Sequence, residues 1–253
     1  MLRILLVFSA FLGIWARANT ILFTPVREEI SIKEDLRLLY FEEHVMDLYE
    51  SIGLADYGLG FDAFDFGLTG YYNLRQQGHL NDQELLTIID FTKSSTERRF
   101  YMIDLAERKV IYHELCSHGV KSGEEYATSF SNKHNSRQSS IGFFVTAETY
   151  YGAKGFSLKL DGFDPGYNDN ARGRGVVLHR AQYAYWLKKE QSGRIGKTYG
   201  CPAVPYSVYR NVIKKLGPGS CIFAYYDDEL YLQTTDLINK RIATDHVYQN
   251  WCI

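Results

Sequence analysis

Residues 196–205 read Gly-Lys-Thr-Tyr-Gly-Cys-Pro-Ala-Val-Pro and set one cysteine, Cys201, between glycines and prolines. Glycine lets the backbone turn tightly and approach a ligand closely, and proline keeps the segment out of regular secondary structure. Backbone N–H groups of Tyr199, Gly200 and Cys201 would then be free to bind a developing oxyanion, as acyl transfer requires. Taken alone, a cysteine in this setting is structural or disulfide-bonded about as often as it is a nucleophile.

A histidine ends an apolar run shortly before this segment. The run Gly175-Val-Val-Leu-His179 is typical of a strand, which would hold the His179 imidazole rigidly at its end. A thiol needs a base or a nearby cation to react near neutral pH, and His179 is the best candidate for that base. A lone histidine at a strand end is more often structural, so these two residues alone do not establish an enzyme.

The two elements together resemble a known active-site pattern. His179, a spacer and Thr198-Tyr-Gly-Cys201-Pro are similar to the His, spacer, Ser/Thr-x-Gly-Cys motif of the L,D-transpeptidase (YkuD-like) family. Further segments resemble the branch called murein L,D-transpeptidase catalytic domain proteins, namely 88–93, 127–132, 138–142, 168–172 and 200–205. The resemblance therefore covers nearly all of the chain after residue 18.

The resemblance implies a fold and a chemistry. It implies a strand-rich catalytic domain of β-sandwich type, within an α+β fold that has a helical N-terminal part. Cys201 would attack a peptidoglycan stem peptide, His179 would act as the base, and a main-chain carbonyl, here that of Arg180, would orient the imidazole. The acyl-enzyme would pass to an amine in cell wall remodelling. No cofactor is implied, and carbapenem-type β-lactams are the expected inhibitors.

Two residues beside the nucleophile and the base depart from the family pattern. Tyr199 stands where many members have histidine, and Arg180 stands where the branch commonly has glycine. Tyr199 and Gly200 are expected to be catalytic through their place beside Cys201. Four residues are expected to bind substrate or to support the loops around it: Thr198, His118, Arg172 and Asn170.

Two other functions remain open at this point. An L,D-carboxypeptidase or endopeptidase would use the same thiol and resolve the acyl-enzyme with water. A non-catalytic wall-binding protein would keep the fold without turnover, although Cys201 and His179 are both present. The residues do not separate transfer from hydrolysis, because the two reactions differ only in which acceptor reaches the acyl-enzyme.

The remainder of the chain divides into a helical part and a strand-rich part. Apolar stripes at helical spacing predict three helices, carried by Leu36, Leu39, Tyr40, His44, Val45 and Leu48, by Phe61, Phe64, Leu68 and Tyr71, and by Leu85, Ile88 and Ile89. Capping patterns at 31–34 and 81–84 would start the first and the third. Strands are predicted at 100–105, 110–115, 141–146, 156–160, 175–179 and 221–226, and a late helix at 206–216.

The first residues have the pattern of a signal peptide. A basic residue, an apolar run over 4–15 and small residues at 16 and 18 predict export to the periplasm or cell wall, with no membrane span after cleavage. We therefore expect a signal peptide at 1–18, a helical N-terminal extension packed on the catalytic domain at 19–96, and an L,D-transpeptidase-like catalytic domain at 97–253.

Composition and spacing exclude other classes of function. The chain has 28 basic and 30 acidic side chains, which is unlike the basic surface of a nucleic-acid binder. His113 and His118 are five positions apart, so they cannot share a helical face as zinc ligands, and no metal site is expected. Any disulfide pairing of Cys116, Cys221 and Cys252 is left open.

Overall fold

The computed structural model describes residues 24–181, 195 and 197–244. Two long helices come first, α1 (Thr24–Ile52) and α2 (Phe61–Gln76). The described strands are β1 (Leu85–Asp90), β2 (Arg98–Asp104), β3 (Lys109–Leu115), β4 (Gly142–Gly152), β5 (Gly155–Gly162), β6 (Val177–Ala181), β7 (Ala203–Pro205) and β8 (Cys221–Tyr225). The shorter helices are α3 (Ala171–Arg174), α4 (Tyr209–Leu216), α5 (Glu229–Thr234) and a 3-10 turn at Asp236–Ile238.

The strands form one sheet in the order β3-β2-β1-β8-β4-β5-β6-β7. The pairs β1–β8 and β6–β7 are parallel, and the other neighbours are antiparallel. The two ends of the sheet meet just beyond β3, because the Ser117 amide donates to the Ala203 carbonyl of β7 at 2.9 Å. The strand-rich α+β fold is therefore confirmed, whereas the sandwich arrangement is not, because the single sheet curls into a barrel-like form.

Alternate residues of the central strands face two different cores. Ile88, Phe143 and Phe223 belong to the core that lies under α1 and α2. Their chain neighbours, such as Ile89 and Ile222, belong to the core on the other face of the sheet, which α4 covers. This alternation is the period of two that a strand imposes. In the strand order, β6 and β7 lie away from β1 and β8, on which α2 packs.

The predicted strands at 100–105 and 110–115 and the predicted second helix are confirmed, whereas the prediction of the third helix is wrong. Residues Leu85–Asp90 form β1, and all six are buried between β2 and β8. A strand that is covered on both faces has no polar side, so its apolar residues fit a helical spacing by coincidence. Asn81 does not cap a helix: its Oδ1 accepts from the Gln83 amide at 2.9 Å in an Asx turn.

The first helix is confirmed, but its start and its buried face differ from expectation. It begins at Thr24, so the pattern at 31–34 lies inside it and is not a cap. Phe41, Val45 and Leu48 are buried, whereas Leu36, Leu39 and Tyr40 are about half exposed. The buried face is decided by the position of α2, which the spacing of apolar residues cannot show.

The position of β1 bears on how the chain divides. A division at residue 96 would separate β1 from the sheet in which it is a central strand. We propose instead that the N-terminal helical part ends before Leu85 and that β1 belongs to the catalytic domain.

Some expectations fall on residues that the structure does not describe. The predicted signal peptide and Cys252 lie outside the described residues. Cys116, Cys201 and Cys221 have free thiols. In the described part of the chain, no helix is both long and apolar enough to span a bilayer.

Candidate active site

The base candidate lies on β6 with its ring held in one orientation. His179 is 3% exposed, and its Nδ1 lies 2.7 Å from the main-chain carbonyl oxygen of Arg180. A carbonyl oxygen can only accept, so Nδ1 bears the proton and donates it in this contact. In the neutral ring, Nε2 then keeps its lone pair, which is the tautomer that a general base needs.

The nucleophile candidate lies against the start of the same strand. Parallel pairing of β6 with β7 sets His179 beside Ala203, and Cys201 comes two residues before Ala203. The Cys201 thiol contacts the Gly175 carbonyl oxygen at 3.7 Å, and the Val177 amide points to the sulfur. The His179 amide in turn donates to the carbonyl of Pro202, the residue after Cys201, at 3.4 Å. The sheet thus brings together two residues that lie 22 positions apart in the chain.

Burial shifts the pKa values of His179 and Cys201 in opposite directions. It lowers the pKa of His179, with a smaller lowering from Lys154, while the Arg180 carbonyl opposes the shift. It raises the pKa of the Cys201 thiol, and the Val177 amide and Arg174 oppose that shift. Desolvation disfavours the charged form of each group. The resting site therefore contains a neutral thiol and a neutral imidazole, so the thiol requires a base when it attacks.

Side-chain hydroxyl groups hold the loop that precedes Cys201. The buried Thr198 donates from Oγ1 to the Cys201 carbonyl at 2.6 Å and accepts from the Gly200 amide at 3.1 Å. Ser139 accepts from the Gly119 amide at 3.0 Å and donates to the Gly200 carbonyl at 3.1 Å. The Gly200 amide was expected to face an oxyanion. The structure instead commits it to Thr198, because the loop satisfies its own polar groups first.

Gly200 has no room for a side chain. Its φ is +127°, and a Cβ at this position would lie 2.7 Å from the Gln138 carbonyl oxygen. We expect Gly200→Ala to destabilise the protein by about 1–3 kcal/mol and to slow acylation of Cys201, because the loop must shift. Thermal denaturation and the rate of thiol acylation measure the two effects.

Gly173→Ala is the matched control for this substitution. Gly173 lies in α3, its φ is not positive, and the nearest neighbour to its Cβ position, His134 Cε1, is 4.0 Å away. Equal stability and equal acylation rates for the two variants would contradict the explanation.

The two residues that depart from the family pattern, Tyr199 and Arg180, lie on the surface beside the site. We call this surface, formed by Tyr199, Arg137, Arg180 and Tyr206, the mouth of the site. Tyr199 is 75% exposed, with the Arg137 guanidinium 4.8 Å from its ring centroid. The Arg180 guanidinium lies 5.3 Å from the ring centroid of Tyr206, itself 53% exposed. Arginine stacked on an aromatic ring keeps its charge and its outer donors available. The mouth is therefore basic and aromatic.

The other residues that are expected to bind substrate form hydrogen bonds or ion pairs within the protein. His118 is 1% exposed; its Nδ1 accepts from Arg99 at 2.7 Å, and its Nε2 donates to the Gly123 carbonyl at 3.3 Å. Burial lowers the pKa of His118 to about 4. Of the two roles weighed for His118, this geometry favours fixing the turn.

Arg172 and Asn170 are likewise engaged at the surface. Arg172 binds the carboxylates of Asp161 and Glu148. The main-chain N–H of Asn170 donates to Asn132 Oδ1 at 3.0 Å. Both contacts connect surface segments to one another, so substrate binding by either residue stays a prediction.

Three residues near the thiol were not singled out from the sequence. Ser139 lies within the segment 138–142, and Lys154 lies in the β4–β5 turn with no motif around it. Arg174 comes two positions after Arg172 in the run Ala171-Arg-Gly-Arg174, which was the available signal. Spacing alone could not tell which of the two arginines faces the site.

Comparisons with known proteins give one family and several distant structures. A family model described as the L,D-transpeptidase catalytic domain matches residues 55–225. No curated protein matches the chain.

The solved structures that match are distant. An L,D-transpeptidase from Mycobacterium smegmatis is 12% identical, with a TM-score of 0.36, over 57% of this chain and 59% of that chain. An L,D-transpeptidase solved in complex with imipenem is 12% identical, with a TM-score of 0.35, over 56% and 59%. One from Xylanimonas cellulosilytica is 14% identical, with a TM-score of 0.33, over 57% and 62%. The match thus spans about three fifths of the length of each.

Proposed function

The chain belongs to the family of L,D-transpeptidase catalytic domains, and we propose that it transfers peptidoglycan stem peptides through a Cys201 acyl-enzyme with His179 as the base. The observation that supports this most is the arrangement along β6. His179 has its Nδ1 anchored on the Arg180 carbonyl, and the Cys201 thiol lies at the start of the same strand. A nucleophile near a base that a third group orients is the usual arrangement for covalent catalysis.

The proposed first half-reaction forms a thioester. The Cys201 thiol proton passes to Nε2 of His179 as the sulfur attacks the carbonyl carbon of the third residue of a stem peptide. The C–N bond to the terminal D-residue then breaks, and the imidazolium returns its proton to the leaving amine. Because the thiol begins neutral, His179 acts as a true general base in this step.

The proposed second half-reaction releases the acyl group. An amine of a second stem attacks the thioester carbon, forms a new amide bond and restores the thiol, which gives a cross-link. Attack by water at the same carbon would give a shortened stem with a free acid. We propose transfer as the principal reaction.

The oxyanion and the substrate charges would meet different groups. We assign the oxyanion to the Tyr199 and Cys201 amides, because the Gly200 amide donates to Thr198. Stem peptides carry carboxylates, and Lys154 and Arg180 are two cations close to His179. We propose that these two bind substrate carboxylates, the role first expected of Arg172.

The proposed substrate places the protein outside the cytoplasm, at the cell wall. Peptidoglycan is assembled on the outer side of the cytoplasmic membrane, so an enzyme of this family acts there. This agrees with the signal-peptide pattern of residues 1–18.

Purified tetrapeptide muropeptides test the proposal directly. Incubation with the protein should yield cross-linked dimers and free terminal D-residue, detected by liquid chromatography and mass spectrometry. A Cys201→Ala preparation is the control for contaminating enzymes.

The products distinguish the alternatives. Tripeptides without dimers would replace transfer with hydrolysis. Unchanged muropeptides, together with a thiol that no carbapenem acylates, would favour the wall-binding protein and overturn the proposal.

A further inference from the structure

The second arginine of α3 lies directly beneath the loop that bears Cys201. Arg174 ends α3, immediately before β6. Its Nη2 would lie 3.5 Å from a Cβ at Gly200, the residue before the nucleophile. Arg174 also interacts electrostatically with Cys201. Its guanidinium is therefore fixed close to the thiol and belongs to the surroundings of the nucleophile.

Four oxygen atoms hold this guanidinium in place. It donates to the Ser131 carbonyl at 2.6 Å, the Gln138 carbonyl at 2.7 Å, Ser136 Oγ at 3.1 Å and Ser140 Oγ. All four belong to the loop formed by residues 131–140. Asn135 and Arg137 of this loop have φ values of 56° and 58°, which side chains rarely adopt. Such a backbone conformation persists only where surrounding groups hold it in place, and the hydrogen bonds of Arg174 hold this loop.

The partners of Arg174 differ from those of Arg172 in one respect. Arg172 is exposed and pairs with two carboxylates, those of Asp161 and Glu148. Arg174 is half-buried, and within the described residues its acceptors are all neutral carbonyl and hydroxyl oxygens. Among the residues that the structure describes, no carboxylate pairs with the charge of Arg174. A half-buried cation of this kind is costly unless an anion forms beside it.

We propose that Arg174 is the fixed cation of the site, and that its charge favours the anionic sulfur of Cys201 during attack. Arg174 is a positioning residue, because it contacts the loop around the nucleophile and not the reacting atoms. The charged groups that act on the sulfur are then Arg174 from α3 and Lys154 from the β4–β5 turn, and the titratable His179 lies on β6, whose Val177 amide points to the sulfur. A nearby positive charge raises the fraction of reactive thiolate.

This proposal concerns the same thiol as the proposed function, but its test needs no peptidoglycan. Iodoacetamide alkylates Cys201 by forming a Sγ–carbon bond and expelling iodide, and only the thiolate reacts. The rate is measured from pH 6 to pH 10 by mass spectrometry of the peptide that contains Cys201. The series comprises the unmodified protein, R174Q, R174K and R172Q.

We expect R174Q to lower the alkylation rate at pH 7 by about 3- to 10-fold and to displace the rate curve to higher pH. R174K should stay within about twofold of the unmodified protein, since lysine retains the charge. R172Q should be unchanged, because the Arg172 charge is already paired at the surface.

Two outcomes would overturn the inference. One is a folded R174Q whose alkylation curve coincides with that of the unmodified protein. The other is an R174K curve displaced as far as that of R174Q. Lysine keeps the charge but cannot bind all four acceptors, so that result would show that loss of the loop contacts alone slows alkylation in both variants. Should R174Q fail to fold, R174K decides between charge and bracing by itself. If the proposed reaction is wrong but the inference holds, the alkylation result stands while muropeptides are unchanged.

Discussion

Replacing Cys201 with alanine is expected to lower carbapenem acylation and stem-peptide processing by at least about a thousandfold, because no other group in the site can form the thioester. In the unmodified protein, the sulfur should attack the β-lactam carbonyl carbon and the ring C–N bond should open. The whole mass of the inhibitor is then added to the protein. Intact-protein mass spectrometry followed by peptide mapping measures the adduct and its position.

Cys116→Ala and Cys221→Ala are the matched controls for this prediction. Both thiols are fully buried. Burial raises the pKa of Cys116 to about 11 and raises that of Cys221 as well, so neither forms a reactive thiolate near neutral pH. Both variants should keep the adduct at Cys201, at the cost of a small cavity in the core. An adduct of equal yield in Cys201→Ala would refute the assignment of the nucleophile.

Replacing His179 with alanine is expected to slow acylation by about 10²- to 10⁴-fold, the usual contribution of a general base. The expected loss has a structural cause, because His179 is the histidine that the parallel pairing of β6 with β7 sets beside the Cys201 segment. Stopped-flow or mass-resolved acylation by a carbapenem measures the rate. His134→Ala is the control: His134 is exposed on the 131–140 loop and should be replaceable without effect.

The pH dependence separates a base from a merely structural histidine. Burial lowers the pKa of His179, so its neutral, basic form predominates above a pH that lies below the ordinary value of about 6.5. The acylation rate of the unmodified protein should therefore rise with pH along a limb that lies below about pH 6.5. His179→Ala should lack that limb and rise only where the thiol itself ionises. An acid limb that persists in His179→Ala would show that another group titrates.

The contrast between β1 and α2 shows where sequence reasoning about this fold succeeded and failed. Phe64, Leu68 and Tyr71 lie on one buried helical face, as their spacing predicted. Leu85–Asp90 carries a comparable spacing, yet every residue of this strand is buried. Polar residues between the apolar ones, such as Asp65, Thr69 and Asn73, keep the helical period of α2 visible in the sequence, although these polar residues are buried too. A central strand of a covered sheet has no polar side, so only its neighbours β2 and β8 determine its conformation.

The two arginines of α3 show the same limit within the site. Arg172 and Arg174 are two positions apart in one short run, and both suit a carboxylate or a thiolate. Arg172 turns to Asp161 and Glu148, whereas Arg174 turns beneath Gly200. Arg172 finds its acceptors on the sheet, whereas Arg174 finds its acceptors in the 131–140 loop. Both sets of acceptors come from distant parts of the chain.

The amino-acid sequence by itself determined the family resemblance, the strand-rich α+β class, and the choice of Cys201 and His179. These depend on local chemistry: glycine and proline around a thiol, and a histidine at the end of an apolar strand. Only the tertiary structure decided how the Cys201 segment is held, which N–H groups the loop uses for itself and which cation lies under the nucleophile. These depend on contacts between segments far apart in the chain. A hydrogen bond or a charge pair is specified by position in space, and residue spacing along the chain does not encode it.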